Sequence, residues 1–139
     1  TGATVQIATN PGYLPAKYDD LLTELYRHNA ASLIGDDNII RLSHGTGCTD
    51  MGDVSQIVAA IQPSANATSG EGHGIDYVVD NYDLAITKAG KAMGMTVIDL
   101  LSENGEKAKN ISGSFHASMT IDEYLRRMRS FRSNSTYED

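Results

Sequence analysis

With 139 residues, 40% hydrophobic and 21% charged, the chain has the size and composition of one globular domain or part of one. Eighteen acids against eleven bases leave a net charge of −7, which excludes non-specific nucleic-acid binding and docking on an anionic membrane, since both need cationic surface. A single cysteine, Cys48, excludes an internal disulfide and favours a reducing cytoplasm, and no run approaches the ~20 apolar residues of a spanning helix.

The chain opens on Thr1, and ATVQIAT (3–9) already alternates in strand fashion, with Val5 and Ile7 on one side. This start predicts a piece cut from a longer protein. NPGYLP (10–15) breaks the strand. Residues 16–35 predict a helix, with Tyr18, Leu22, Leu25, Asn29 and Leu33 at helical spacing and Gly35 as the stop. NIIRLS (38–43) predicts a short strand. After the loop GTGCTDMGD (45–53), VSQIVAAIQP (54–63) predicts a second strand, so rich in Val and Ile that both faces should be covered.

Residues 64–77 are small and polar and predict a flexible loop. Residues 77–105 carry the longest helical pattern, with Tyr82, Ile86, Ala89, Met93 and Val97 in one stripe and Asp80 or Asn81 as N-cap. Gly90 and Gly94 lie inside it and predict close packing on another element. EKAKNISGSFHAS (106–118) predicts a linker. Thr120 and Glu123 form a capping-box signature for a last amphipathic helix over 119–131, whose arginines face water. The tail from Arg132 should fray. Strands interleaved with helices predict an α/β layer structure.

Two loops carry the chemistry. In GTGCTDMGD the spacing fits neither a phosphate-binding P-loop nor the dinucleotide fingerprint. Cys48 reads as a small buried thiol rather than a nucleophile, because His44 four residues away does not make a dyad. Asp50 and Asp53 allow two readings. One is a tight turn held by carboxylates on backbone amides. The other is a cleft at a strand end, lined by Gly47, Thr49 and Asp50. In EGHGID, His73 lies between two glycines with Glu71 and Asp76 near. It reads either as an exposed loop histidine or as a metal ligand, and alone it cannot complete a zinc site, which needs three or four ligands. His44 ranks below His73 for reaching the cleft. His28 reads as a surface residue, and His116 has no partner in the sequence.

GCTDMGDVSQIVAAIQP, GHGIDY and AGKAMGMTVIDLL, in that order, resemble the C-terminal part of the catalytic domain of zinc-dependent amidohydrolases, the family of aminoacylases, carboxypeptidase G and aminobenzoyl-glutamate hydrolases. The likeness covers residues 1 to about 104 and departs at Cys48, where the family has serine or glycine. It implies a three-layer zinc-peptidase-like fragment with a mixed sheet and flanking helices. Residues 1–9 would be the strand leaving the lid domain and residues 10–139 the C-terminal catalytic portion.

The resemblance also implies a parent enzyme with two zinc ions that hydrolyses the amide bond of N-acyl amino acids or peptide-like substrates of the aminobenzoyl-glutamate type. His73 would be the C-terminal metal ligand, with Gly47, Thr49 and Asp50 beside the substrate and Asp53 structural. The family's His-x-Asp pair, bridging aspartate and Glu-Glu pair have no counterpart here. This chain is therefore expected to hold no catalytic residue and to be inactive alone, with the N-terminal half of the catalytic domain as its missing partner and a homo-oligomer as its assembly. A non-catalytic α/β interaction or subunit module is the alternative. Truncation would uncover Val54, Ile57, Val58 and Ile61 and favour self-association.

Overall fold

The structure is a computed structural model and describes residues 2–41 and 47–138. The expected first strand is present as β1 (Thr4–Thr9). Its partner is the tail: β4 (Ser133–Glu138) pairs with it antiparallel, Thr4 opposite Glu138 and Thr9 opposite Ser133. The tail was expected to fray, but six uninterrupted ladder positions hold it. Val5, Ile7 and Tyr137 share one face of this ribbon and all remain exposed.

Helix α1 (Asp20–Ile34) forms where the sequence places it. Asp19 caps it by accepting from the Leu22 amide at 2.8 Å, and Gly35 ends it at φ 84°. Beyond it the expected strand at 38–43 is absent from the described part: Asp36–Asn38 is a 3-10 turn, with Asn38 Nδ2 donating to the Ile34 carbonyl. Leu42 and Ser43 lie outside the described residues, as does His44.

The second expected strand is also corrected. Residues Asp50–Ser55 form a short helix, α2, capped by Thr49. The Ile57 and Val58 amides still bond to the Val54 carbonyl, and residues 59–67 form no helix or strand. The Asp19 amide donates to the Ala60 carbonyl at 3.1 Å, and the Thr49 and Tyr18 hydroxyls both donate to Gln62 Oε1, at 2.9 and 3.4 Å, which fixes this stretch. Apolar content could not make it a strand, because no neighbouring strand among the described residues supplies a ladder.

A two-residue ladder forms between the expected loop and the start of the expected long helix, β2 (Thr68–Ser69) with β3 (Val78–Val79), so the first residues of the 77–105 pattern are strand rather than helix. The long helix follows. Asn81 caps it by accepting from the Leu84 amide at 3.0 Å, as its side chain suggested. Asp83–Lys88 is wound as a π-helix and continues into α3 (Ala89–Leu101).

The expected linker is helix α4 (Glu106–Ser114). Asn104 and Gly105, at φ 58° and 73°, reverse the chain before it. Polar neighbours dilute the Ala108, Ile111 and Phe115 stripe in the sequence, yet Ile111 is buried. The last helix, α5 (Ile121–Ser130), carries the complete Thr120–Glu123 capping box.

Helices α1 and α3 pack closely because small residues face each other: Asn29 and Ala30 on α1, Ala92 and Thr96 on α3. Asn29 Nδ2 donates to Asp99 at 2.8 Å and to Thr96 at 3.3 Å, so the polar member of the α1 stripe is satisfied. The Asn29 bond, with Lys107 near by, holds the Asp99 carboxyl below its ordinary range. Among the described residues the buried apolar side chains are Ala30, Ala60, Ala67, Ala92 and Ile111. The molecule is thus of mixed α/β class, helices with two small antiparallel sheets, and most of its large apolar side chains stay at the surface.

Candidate functional site

The glycine loop is built around a helix start. Thr49 takes the N-cap position of α2: its hydroxyl accepts from the Met51 amide at 3.3 Å and donates to Gln62 Oε1 at 2.9 Å. Asp50 is the first helical residue and is exposed, where a carboxylate suits the positive end of the helix. Gly47 and Cys48 are exposed as well. The burial expected for Cys48 is therefore corrected, since it precedes the helix with nothing packed over it.

Gly52 and Asp53 face inward. A Cβ at Gly52 would collide with the Leu14 carbonyl, so the helix can lie on the 14–16 backbone only with glycine there. Asp53 Oδ1 accepts from the Leu14 amide at 2.8 Å, and Oδ2 accepts from the Tyr124 hydroxyl at 3.0 Å. Desolvation first, then the bond to Asp53, pushes the Tyr124 phenol above its ordinary pKa. Ser55, fully buried, accepts from the Lys17 amide at 2.9 Å and donates to the Gly52 carbonyl. Gln56 Nε2 donates to the Pro15 carbonyl at 2.6 Å. The loop thus clamps residues 14–17 onto α2, with a carboxylate, a hydroxyl and an amide all bonded to backbone.

His73 occupies a turn closed by the Gly74 amide donating to the Glu71 carbonyl at 2.7 Å. Its φ of 66° is uncommon for a residue with a side chain. The turn demands small neighbours. A Cβ at Gly74 would come within 2.6 Å of the Asp76 carboxylate and 2.8 Å of the Glu71 carbonyl, and one at Gly70 would collide with the Asp76 carbonyl. Asp76 Oδ1 accepts from the Glu71 amide at 3.4 Å, directing its carboxylate into the turn. The β2–β3 ladder holds the base of the turn, and His73 is displayed outward, exposed.

Among the described residues no three of His, Cys, Asp and Glu gather as a metal cluster. A lone imidazole cannot hold zinc, so the donors present do not complete such a site, and any zinc at His73 would need ligands from elsewhere. No hydrogen bond among the described residues joins the 47–50 loop to the His73 turn.

An open groove of about 430 Å³ is lined by other residues, among them Leu22, Ile57, Val58, Leu100, Ile111 and Phe115. Lys17 borders it. Its ammonium donates to the His116 carbonyl at 2.7 Å and to Ser118 at 3.3 Å, and lies 5.3 Å from the centre of the Phe115 ring. The sequence carried no signal for the roles of Lys17 and Gln62, which arise from contacts 13 to 101 residues apart. No helix among the described residues is long and apolar enough to cross a membrane. Compared with protein-family models, curated proteins and solved structures, the chain finds no match.

Proposed function

We propose that this chain is the C-terminal part of the catalytic domain of a cytoplasmic two-zinc amidohydrolase, of three-layer zinc-peptidase-like architecture, acting on N-acyl amino acids or small peptide-like amides. The observation that carries the reading is the ordered set of loop Gly47–Asp53, apolar run, glycine-flanked His73 and long helix ending at Leu101. Two further features support it. His73 is held outward at a positive φ, a geometry that costs on the order of 1–3 kcal/mol and that functional sites tolerate. The half-exposed Val54 and Val58 fit a run whose covering layer lies outside this chain.

In the parent, zinc would polarise the amide carbonyl and activate water. The share of this chain would be limited to presenting the His73 imidazole and, through Gly47, Thr49 and Asp50, shaping the substrate side of the cleft. The general base and the other ligands would come from the N-terminal half.

The test is zinc stoichiometry and turnover of the intact parent with and without His73→Ala. Loss of one metal and of most turnover is expected; unchanged zinc content would remove His73 from the site. A non-catalytic α/β module is the second reading. It is favoured by the full structural use of Thr49 and Asp53, which leaves neither idle. Absence of a His-x-Asp and a Glu-Glu pair from the complete upstream sequence would decide for it.

A further inference from the structure

Between α3 and α4 the chain turns in the left-handed sense. Glu103, Asn104 and Gly105 have φ of 51°, 58° and 73°, and the first two carry side chains that disfavour that region. At φ/ψ of 58°/24° and 73°/29°, Asn104 and Gly105 are the central pair of a type I′ turn, the turn that Asn-Gly fits. Asn104 is exposed, and it is the one asparagine of the chain that is followed by glycine.

The pair that makes the turn carries its own chemistry. A bond from the Gly105 nitrogen to Cγ of Asn104 closes a five-membered imide, and glycine has no side chain to obstruct the approach. That ring fixes the Asn104 ψ at about −120°, which together with a positive φ is the first central position of a type II′ turn. Asn104 already has the φ this needs. Only the peptide unit between 104 and 105 must turn over, and glycine accepts the φ of opposite sign that results. Two bonds oppose the flip. The Gly105 amide donates to the Ser102 carbonyl at 2.9 Å, and Lys109 Nζ donates to the Asn104 carbonyl at 2.8 Å.

We infer that Asn104 is a self-modification site, gated by the flip of this turn. In the flipped turn the Gly105 nitrogen gives its proton to water and attacks Cγ of Asn104. The bond from Cγ to the side-chain nitrogen breaks and ammonia leaves. Water then opens the imide. Cleavage between Cγ and the nitrogen leaves aspartate on an unchanged backbone. Cleavage between the backbone carbonyl carbon and the nitrogen leaves isoaspartate, with the chain routed through Cβ. One water enters, one ammonia leaves, and one negative charge is gained. The isoaspartate product lengthens the backbone at the reversal that sets α4 against α3, where Ile111 is buried and Lys107 meets Asp99 at 3.6 Å. Helix α4 therefore loosens in that product and stays docked in the aspartate one. The inference is independent of whether the parent hydrolyses amides.

Incubated warm at mildly alkaline pH, the 139-residue chain should gain about 1 Da, mapped by fragmentation to Asn104, with an equal amount of ammonia released. Urea sufficient to unfold the chain should speed the gain by about tenfold or more, because the turn no longer has to open. Lys109→Met, which frees one side of the peptide unit, should speed it by about twofold or more in the folded chain and not in urea. In the separated isoaspartate product, amide exchange over 106–114 should quicken while α1 keeps its protection; Asn104→Asp, which adds the charge without the extra methylene, should leave both unchanged. A folded chain that stays unmodified while the unfolded chain converts, or one that changes first at another asparagine, overturns the inference. Equal rates with and without urea, or a Lys109→Met chain no faster than the original, overturn the gating. Unchanged exchange over 106–114 in the isoaspartate product overturns the loosening of α4.

Discussion

Asp53 joins three parts of the chain with one carboxylate: its own helix α2, the Leu14 amide and the Tyr124 hydroxyl on α5. Truncation leaves a part-buried amide and a phenol without their acceptor. Asp53→Ala should therefore lower the unfolding free energy in urea by about 1–3 kcal/mol. Asp50→Ala, three residues earlier and exposed, should change it by no more than about 0.5 kcal/mol. Equal effects would mean that the clamp contributes nothing. Gly52→Ala should be worse than Asp53→Ala, because its methyl group meets the Leu14 carbonyl rather than a side chain that can rotate away. A loss of about 3 kcal/mol or more, or failure to fold, is the expected result. Of this loop the sequence showed that glycines and aspartates must serve a turn or a cleft. It could not show that Asp53 reaches across 71 residues to Tyr124, because nothing local to either residue encodes that contact.

The elements that the sequence specified correctly are those whose cues are local. Helix α1 has Asp19 at its start and Gly35 at its end, and α5 has both halves of its capping box within four residues. Thr120→Ala should cost about 1 kcal/mol. The Thr120 amide, and then its hydroxyl, hold the Glu123 carboxyl below its ordinary range. A carboxyl whose folded pKa is depressed stabilises the fold above its unfolded pKa of about 4.3, and that contribution vanishes as pH falls through the folded value. Unfolding followed from pH 6 to pH 2 should thus show α5 weakening below about pH 4, and Thr120→Ala should flatten that dependence. Elements that the sequence misplaced depend on distant partners. Residues 54–63 have strand composition but, among the described residues, no strand to pair with, so the local Thr49 cap prevails and α2 forms. The tail reads as frayed on its own and becomes β4 only because β1 is 124 or more residues away in sequence and adjacent in space.

At the scale of the molecule, the fold is held by a thin interior. Four of the five buried apolar residues among those described are alanines, while Leu101, Ile98, Ile86 and Tyr82 stand in water. Alanine burial allows α1 and α3 to approach closely but removes little apolar surface, at about 25 cal/mol per Å². Composition alone did not disclose this, because a 40% hydrophobic chain ordinarily buries its large residues. The mixed α/β class was legible from the alternation of periods. The layering was not, since it depends on which faces find a partner.

The paired termini have a consequence of their own. The segment TVQIAT is uncharged, free of proline and rich in β-branched residues, and among the described residues its second edge faces no strand. Such an edge is a template on which identical segments can stack into a fibril. Incubated at 37 °C, the protein should convert to thioflavin-positive aggregates after a lag that shortens on seeding. Gln6→Lys, which places a cation on the polar face of the ribbon, should lengthen that lag severalfold without altering the helical spectrum. Equal lags would show that growth starts from some other segment.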